Sequence, residues 1–167
     1  MSNNILVIGA TNIDIFAKTT EAYVLEDSNL ANINMAIGGV GGNITTNLAN
    51  LGLDVSFISA FCGDEFSHLA KKHFLERNVD LSHSLCLKDA SSSIYLAILD
   101  EKNDLYLGLN DMEISTKLDI PYFKSIQRFI DTFETIVIDN NLSLETIAYL
   151  LHTYSHKQII MDAVSAK

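Results

Sequence analysis

Apolar residues recur along this chain with two different periods. ILVIG at 5–9 is a short continuous apolar run closed by a glycine, the pattern of a buried strand. IDIFAKTTEAYVL at 13–25 alternates more loosely, with Ile13, Ile15 and Ala17 on one side, and predicts a half-exposed strand. INMAI at 33–37 is a further strand. The period then lengthens: Ile44, Leu48 and Leu51 recur at i, i+4 and i+7 before Gly52, which predicts a helix with that face inward. DVSFISAF at 54–61 returns to a strand. DEFSHLAKKHFLERN at 64–78 is a helix with Phe66, Leu69, Ala70 and Phe74 on one face and Asp64 as its N-cap.

Two alternating runs, 93–100 and 104–111, flank the polar tetrad Asp100-Glu101-Lys102-Asn103 and predict a hairpin. Pro121 falls in the first turn of a helix over about 120–132. A strand at 135–139, a helix at 142–154 and a strand at 158–162 follow. This strand–helix–strand order, together with the first strand, predicts an α/β fold with a parallel sheet flanked by helices. Residues 13–37 and the hairpin form a second, antiparallel layer. No repeat, linker or low-complexity tract divides the chain, so residues 1–167 read as a single domain. QIIMDAVSAK finishes at the carboxyl edge of a strand, where open α/β sheets bind ligands, so the expected domain continues past it.

Composition narrows the partners. With 21 acidic against 11 basic residues and a net charge of −10, the surface repels nucleic-acid phosphates and anionic membranes, and neither is an expected partner. Cys62 and Cys86, without a CxxC pairing, predict buried thiols in a reducing compartment. The N-terminus lacks a basic n-region and no apolar run approaches bilayer length, so the expectation is a soluble cytoplasmic protein.

The candidate chemistry centres on MAIGGVGGNITTNLANLG at 35–52, where Gly38, Gly39, Gly41 and Gly42 crowd the start of a helix. Such a turn lets a ligand approach the backbone. A dinucleotide fingerprint needs a third glycine where Ile44 stands, and a Walker loop needs a lysine that is absent. A bare strand-to-helix turn explains one or two glycines, but not four followed by Asn43. Backbone N–H groups beside the Asn43 amide suit an uncharged, hydroxyl-rich ligand. Asp14, just past the first strand, can accept hydrogen bonds from two neighbouring hydroxyls, or it is a solvated turn residue. AFCGD at 60–64 is no catalytic phosphate loop: Phe61 and Cys62 are bulky where backbone must approach phosphate. His152 and His156 share an i, i+4 spacing but no third ligand, so no metal site is expected. Tyr95 and Tyr106 on the hairpin either stack on a base or pack against each other.

In order and spacing, ILVIGATNIDI, IGGVGGNITTNLANLG, FISAFCGDEFS, SIYLAILDEKNDLYLGLNDMEI and IIMDAVSAK resemble the ribokinase-like (PfkB) family of sugar and nucleoside kinases, most of all its pseudouridine-kinase branch. The sequence departs from that branch at Gly42, where Arg is usual, and at Asp162-Ala163, where Asp-Pro is common. The resemblance implies a ribokinase-like sheet with a small antiparallel β lid over about 13–37 and 91–112, the C-terminal part of the fold being absent. It implies ATP-dependent phosphorylation of a sugar or nucleoside hydroxyl, with ATP and Mg2+ serving the complete enzyme. Asp14, Gly38, Gly39, Val40, Gly41 and Asn43 would clamp the sugar, and Ser93, Asn110 and Asp111 would lie near the base or sugar. Asp162 and Lys167 would face the nucleotide side. No catalytic residue falls within the chain, the base Asp being expected beyond Lys167. The lid strands would make a homodimer contact. A nucleoside- or sugar-binding module, or a lid-mediated dimerisation module, without catalysis is the alternative.

Overall fold

The computed structural model describes residues 4–163. Its main sheet is built from β1 (Asn4–Ile8), β4 (Asp54–Ile58), β9 (Thr135–Asp139) and β10 (Gln158–Asp162). All are parallel, in the order β10-β9-β1-β4. Strict alternation in the strands makes two cores. Leu6, Ile8, Ile136 and Ile138 point to one face, against Phe123, Ile130, Ile147 and Leu150. Val7, Phe57 and Val137 point to the other, against Ala70 and Phe74. A parallel sheet covered on both faces explains why its strands read as unbroken apolar runs.

Helices α1 (Val40–Asn50) and α2 (Glu65–Leu75) cover the second face. The first is covered by α3 (Ile120–Ser125), α4 (Gln127–Ile130) and α5 (Leu144–Thr153). The helix expected over 120–132 is broken at Ile126, whose ψ of 14° leaves the helical range. Helix α1 ends in a Schellman motif: Leu53 N–H donates to Leu48 O, Gly52 N–H donates to Ala49 O, and Gly52 has a φ of +79°. Leu51 therefore lies outside the helix, 77% exposed, and not on its inward face. Leu69 is likewise 46% exposed and borders a groove with Met35 and His73. His156 lies past the end of α5, so the two histidines do not share a helix face. Cys62 is buried and Cys86 is exposed; both are free.

A second sheet stands over the carboxyl edge of the first. It is made by β2 (Asn12–Thr19), β3 (Ala31–Gly38), β7 (Ile94–Leu99) and β8 (Leu105–Asp111), in the order β3-β2-β7-β8. The expected antiparallel layer is mixed, because β2 and β7 pair in parallel. Their union is non-local, and neither run shows its partner's direction. Strand β5 (Ala60–Cys62) breaks from β4 at Ser59 and pairs with β6 (Leu85–Leu87), so the run at 54–61 is two strands.

Register divides the lid into two faces. Ala36, Asp14, Tyr95 and Asn110 form one cross-strand row, and Asn34, Phe16, Ala97 and Gly108 form the next row on the same face. Met35, Ile15, Leu96 and Leu109 form a row of the opposite face, which is apolar.

Candidate functional site

The strand order reverses at β1: the chain passes from β1 to β4 on one side and later returns to β9 on the other. In open α/β sheets, the crevice at such a reversal receives ligands. Three segments meet there: the end of β1 at Gly9-Ala10, the glycine turn opening α1, and the end of β9 at Asp139.

Asp139 is fully buried. One carboxylate oxygen accepts from the N–H groups of Ala10 and Gly41, each at 2.8 Å. The other accepts from the Asn141 N–H at 2.9 Å. Burial pushes this carboxyl above its usual range, while the hydrogen bonds from Asn141, Ala10 and Gly41 pull the other way. Two glycines make room for it. A Cβ at Gly9 would meet Asp139 Oδ2 at 2.4 Å, and one at Gly41 would meet Gly9 Cα at 2.9 Å. The next helix N–H groups are also engaged: Gly42 donates to Ala10 O and Asn43 to Gly39 O.

The sugar-clamp candidates lie directly above. Gly39 has a φ of +84°, and a Cβ there would strike Ala10 O at 2.6 Å. A Cβ on Gly38 would fall 2.1 Å from Asp14 Oδ2, so this carboxylate lies over the bare backbone of Gly38. Buried Asn12 donates to Asp14 Oδ1 at 2.5 Å and fixes the side chain. Asp14 is half-buried, and desolvation pushes its carboxyl up against the pull of the Asn12 hydrogen bond. Asn43 is exposed in the first turn of α1, beside half-buried Val40. Gly42 is closed on its outer side: a Cβ would meet Thr11 Oγ1 at 2.9 Å.

The remaining sequence candidates divide. Asn110 shares the Asp14 row. Asp111, the next residue, points to the opposite face, borders a separate cleft with Asp89 and Lys117, and accepts from Glu113 N–H at 3.3 Å. Ser93 lies beside Asn12 but is buried, and its carbonyl accepts from Ile13 N–H at 2.9 Å. Asp162 stands at the carboxyl end of the sheet, in register with Asp139. Lys167 lies outside the described residues. Sequence reasoning missed Asp139. Its only local signal is an acidic residue closing a buried strand at the ligand-binding edge of the sheet.

Asp64 caps α2, accepting from Ser67 N–H at 2.8 Å. It also accepts from Ser92 N–H at 2.9 Å and Ser92 Oγ at 2.6 Å, just before β7. The cap thereby ties the lid to the main body. Partial burial works to raise its pKa, but hydrogen bonds from Ser92 and Ser67 outweigh it and bring it to about 2.

A parallel sheet flanked by helices, with a β lid whose polar face closes over a glycine turn, defines a ribokinase-like α/β protein. The sequence profile of the pfkB family carbohydrate kinases matches residues 2–164, and the chain belongs to that family. It is 32% identical over 162 residues to a pseudouridine kinase of Escherichia coli (strain K12), covering 97% of this chain and 52% of the relative. A carbohydrate kinase from Agrobacterium tumefaciens has a TM-score of 0.87 at 24% identity, over 97% of this chain and 54% of that one. An Arabidopsis thaliana ribokinase complexed with ribose and ATP has a TM-score of 0.82 at 13% identity, over 99% and 55%. The chain thus spans about half the length of these relatives.

Proposed function

We propose that this chain is the substrate-holding portion of an ATP-dependent nucleoside kinase that converts pseudouridine to pseudouridine 5′-phosphate. The observation that carries the reading is the Asp14 carboxylate lying over the unsubstituted backbone of Gly38, at the mouth of the sheet crevice. A carboxylate held by Asn12 presents its remaining lone pairs to two adjacent ribose hydroxyls. Gly38 and Gly39 keep the sugar close to the backbone, Val40 and Gly41 shape the turn, and Asn43 offers an amide. Tyr95, Phe16 and Asn110, on the same lid face, suit a base attached to that sugar.

MgATP would supply the phosphoryl group. The glycine turn does not fit its phosphates, because the N–H groups of Gly41, Gly42 and Asn43 are already taken. The described residues suit the sugar side of the reaction, and this reading assigns the base Asp and the nucleotide pocket to sequence beyond Lys167. The half-length match to the relatives supports that assignment. Phosphoryl transfer depends on such groups, so the 167-residue chain alone is proposed to be inactive. The apolar lid face, with Met35 57% and Leu109 52% exposed, supports a homodimer through the lid. No helix among the described residues is long and apolar enough to cross a membrane. A cytoplasmic location is part of the proposal.

Incubation with MgATP and pseudouridine tests the division of labour. No pseudouridine monophosphate is expected from the chain alone. Steady turnover by it contradicts the assignment of the base beyond Lys167.

A further inference from the structure

Asp139 belongs to none of the groups that would touch a sugar, yet its carboxylate joins the two segments that carry them. Asn12 and Asp14 follow directly from Ala10, whose N–H it holds. Gly38, Gly39 and Asn43 flank Gly41, whose N–H it also holds. Thr11 Oγ1 closes the same joint by donating to Gly38 O at 3.1 Å. A helix N-terminus attracts an anion, and here the anion is part of the chain.

We infer that Asp139 is a positioning residue for the sugar clamp: its carboxylate occupies the anion site of the glycine turn, closes that turn to external phosphate, and sets the distance between Asp14 and α1. The inference rests on the clamp reading for its consequence in binding, but not for its consequence at the glycine turn. Fixed to the end of β9, Asp139 also links the clamp to the β9–β10 side of the sheet, where Asp162 ends. Losing one charged partner here leaves buried N–H groups short of an acceptor, which is costly enough to loosen the turn.

The test has two arms, both on the 167-residue chain. In the first, inorganic phosphate is titrated into the unmodified chain while backbone amide resonances are followed. The Ala10 and Gly41 amides should stay unshifted; saturable shifts at both overturn the inference. This arm needs no variant and no riboside. In the second, Asp139→Asn is compared with the unmodified chain. Amide exchange at Ala10 and Gly41 should speed up by about tenfold more than at core Phe57, and riboside affinity should fall about tenfold. Unchanged exchange at both amides, or unchanged affinity, overturns the inference. If the unmodified chain binds no riboside, the clamp reading fails, and exchange and phosphate still decide the role of Asp139. If Asp139→Asn does not fold, the phosphate arm decides alone.

Discussion

Gly41 donates its N–H to Asp139 at 2.8 Å, across 98 residues of sequence. The glycine-rich turn is thus satisfied from within. In the proposed reading it offers a ligand close backbone and an adjacent carboxylate, Asp14, rather than an empty anion cradle.

That packing makes the cost of a methyl group at this turn specific to position. In Gly41→Ala, the new Cβ would meet backbone at Gly9 and the Asp139 carboxylate, neither of which yields easily. The expected loss is about 1–3 kcal/mol, read from the urea midpoint. Gly63→Ala is the control: its Cβ meets nothing within 4 Å, and stability should change by less than about 0.5 kcal/mol. Equal effects at the two sites would contradict the packing described.

Asp64 gives stability a pH dependence of definite sign. Its folded pKa, about 2, lies below the ordinary 3.8. Its contribution is therefore complete above about pH 4 and is lost as pH falls towards 2. The unmodified chain should be more stable than Asp64→Asn near neutrality, and the gap should close over that window. Urea denaturation at a series of pH values measures it; a gap independent of pH would show that the ionised cap is not what holds Ser67 and Ser92.

On the lid, the Tyr95 hydroxyl lies 3.0 Å from where a Cβ on Gly108 would stand. Gly108→Val must move the ring away from its place in the Asp14 row. Affinity for a nucleoside should drop several-fold while affinity for free ribose changes little, because the proposed site sets the ring against the base and not the sugar. Calorimetric titration with both ligands checks this. An equal loss for both would place Tyr95 outside the base site.

Much of the fold was legible in the sequence because local periods carry it. ILVIG reads as a buried strand and TIVID as a strand, and Asp64 and Gly52 mark a real cap and a real stop. Legibility fails where structure depends on residues far apart. Nothing near Asp139 announces its bonds to Ala10 and Gly41, 129 and 98 positions away. The parallel union of β2 and β7 is equally non-local. Asn110 and Asp111 look alike as candidates, and only the register with β7 reveals that one shares the Asp14 row and the other faces away. Leu51 and Leu69 match the helical period but lie at a helix end and beside a groove, where the period no longer decides burial.

Asp14, held over Gly38, is proposed to bind the hydroxyls of a riboside. Titrating pseudouridine into the unmodified chain and into Asp14→Asn tests it most directly, with circular dichroism confirming that both are folded. Saturable binding is predicted for the first, with a loss of at least about tenfold in the second. Because burial raises the Asp14 pKa above 3.8, binding should also weaken as pH falls through that raised value. Equal affinity of the two proteins, or no binding by the unmodified chain, would contradict the claim.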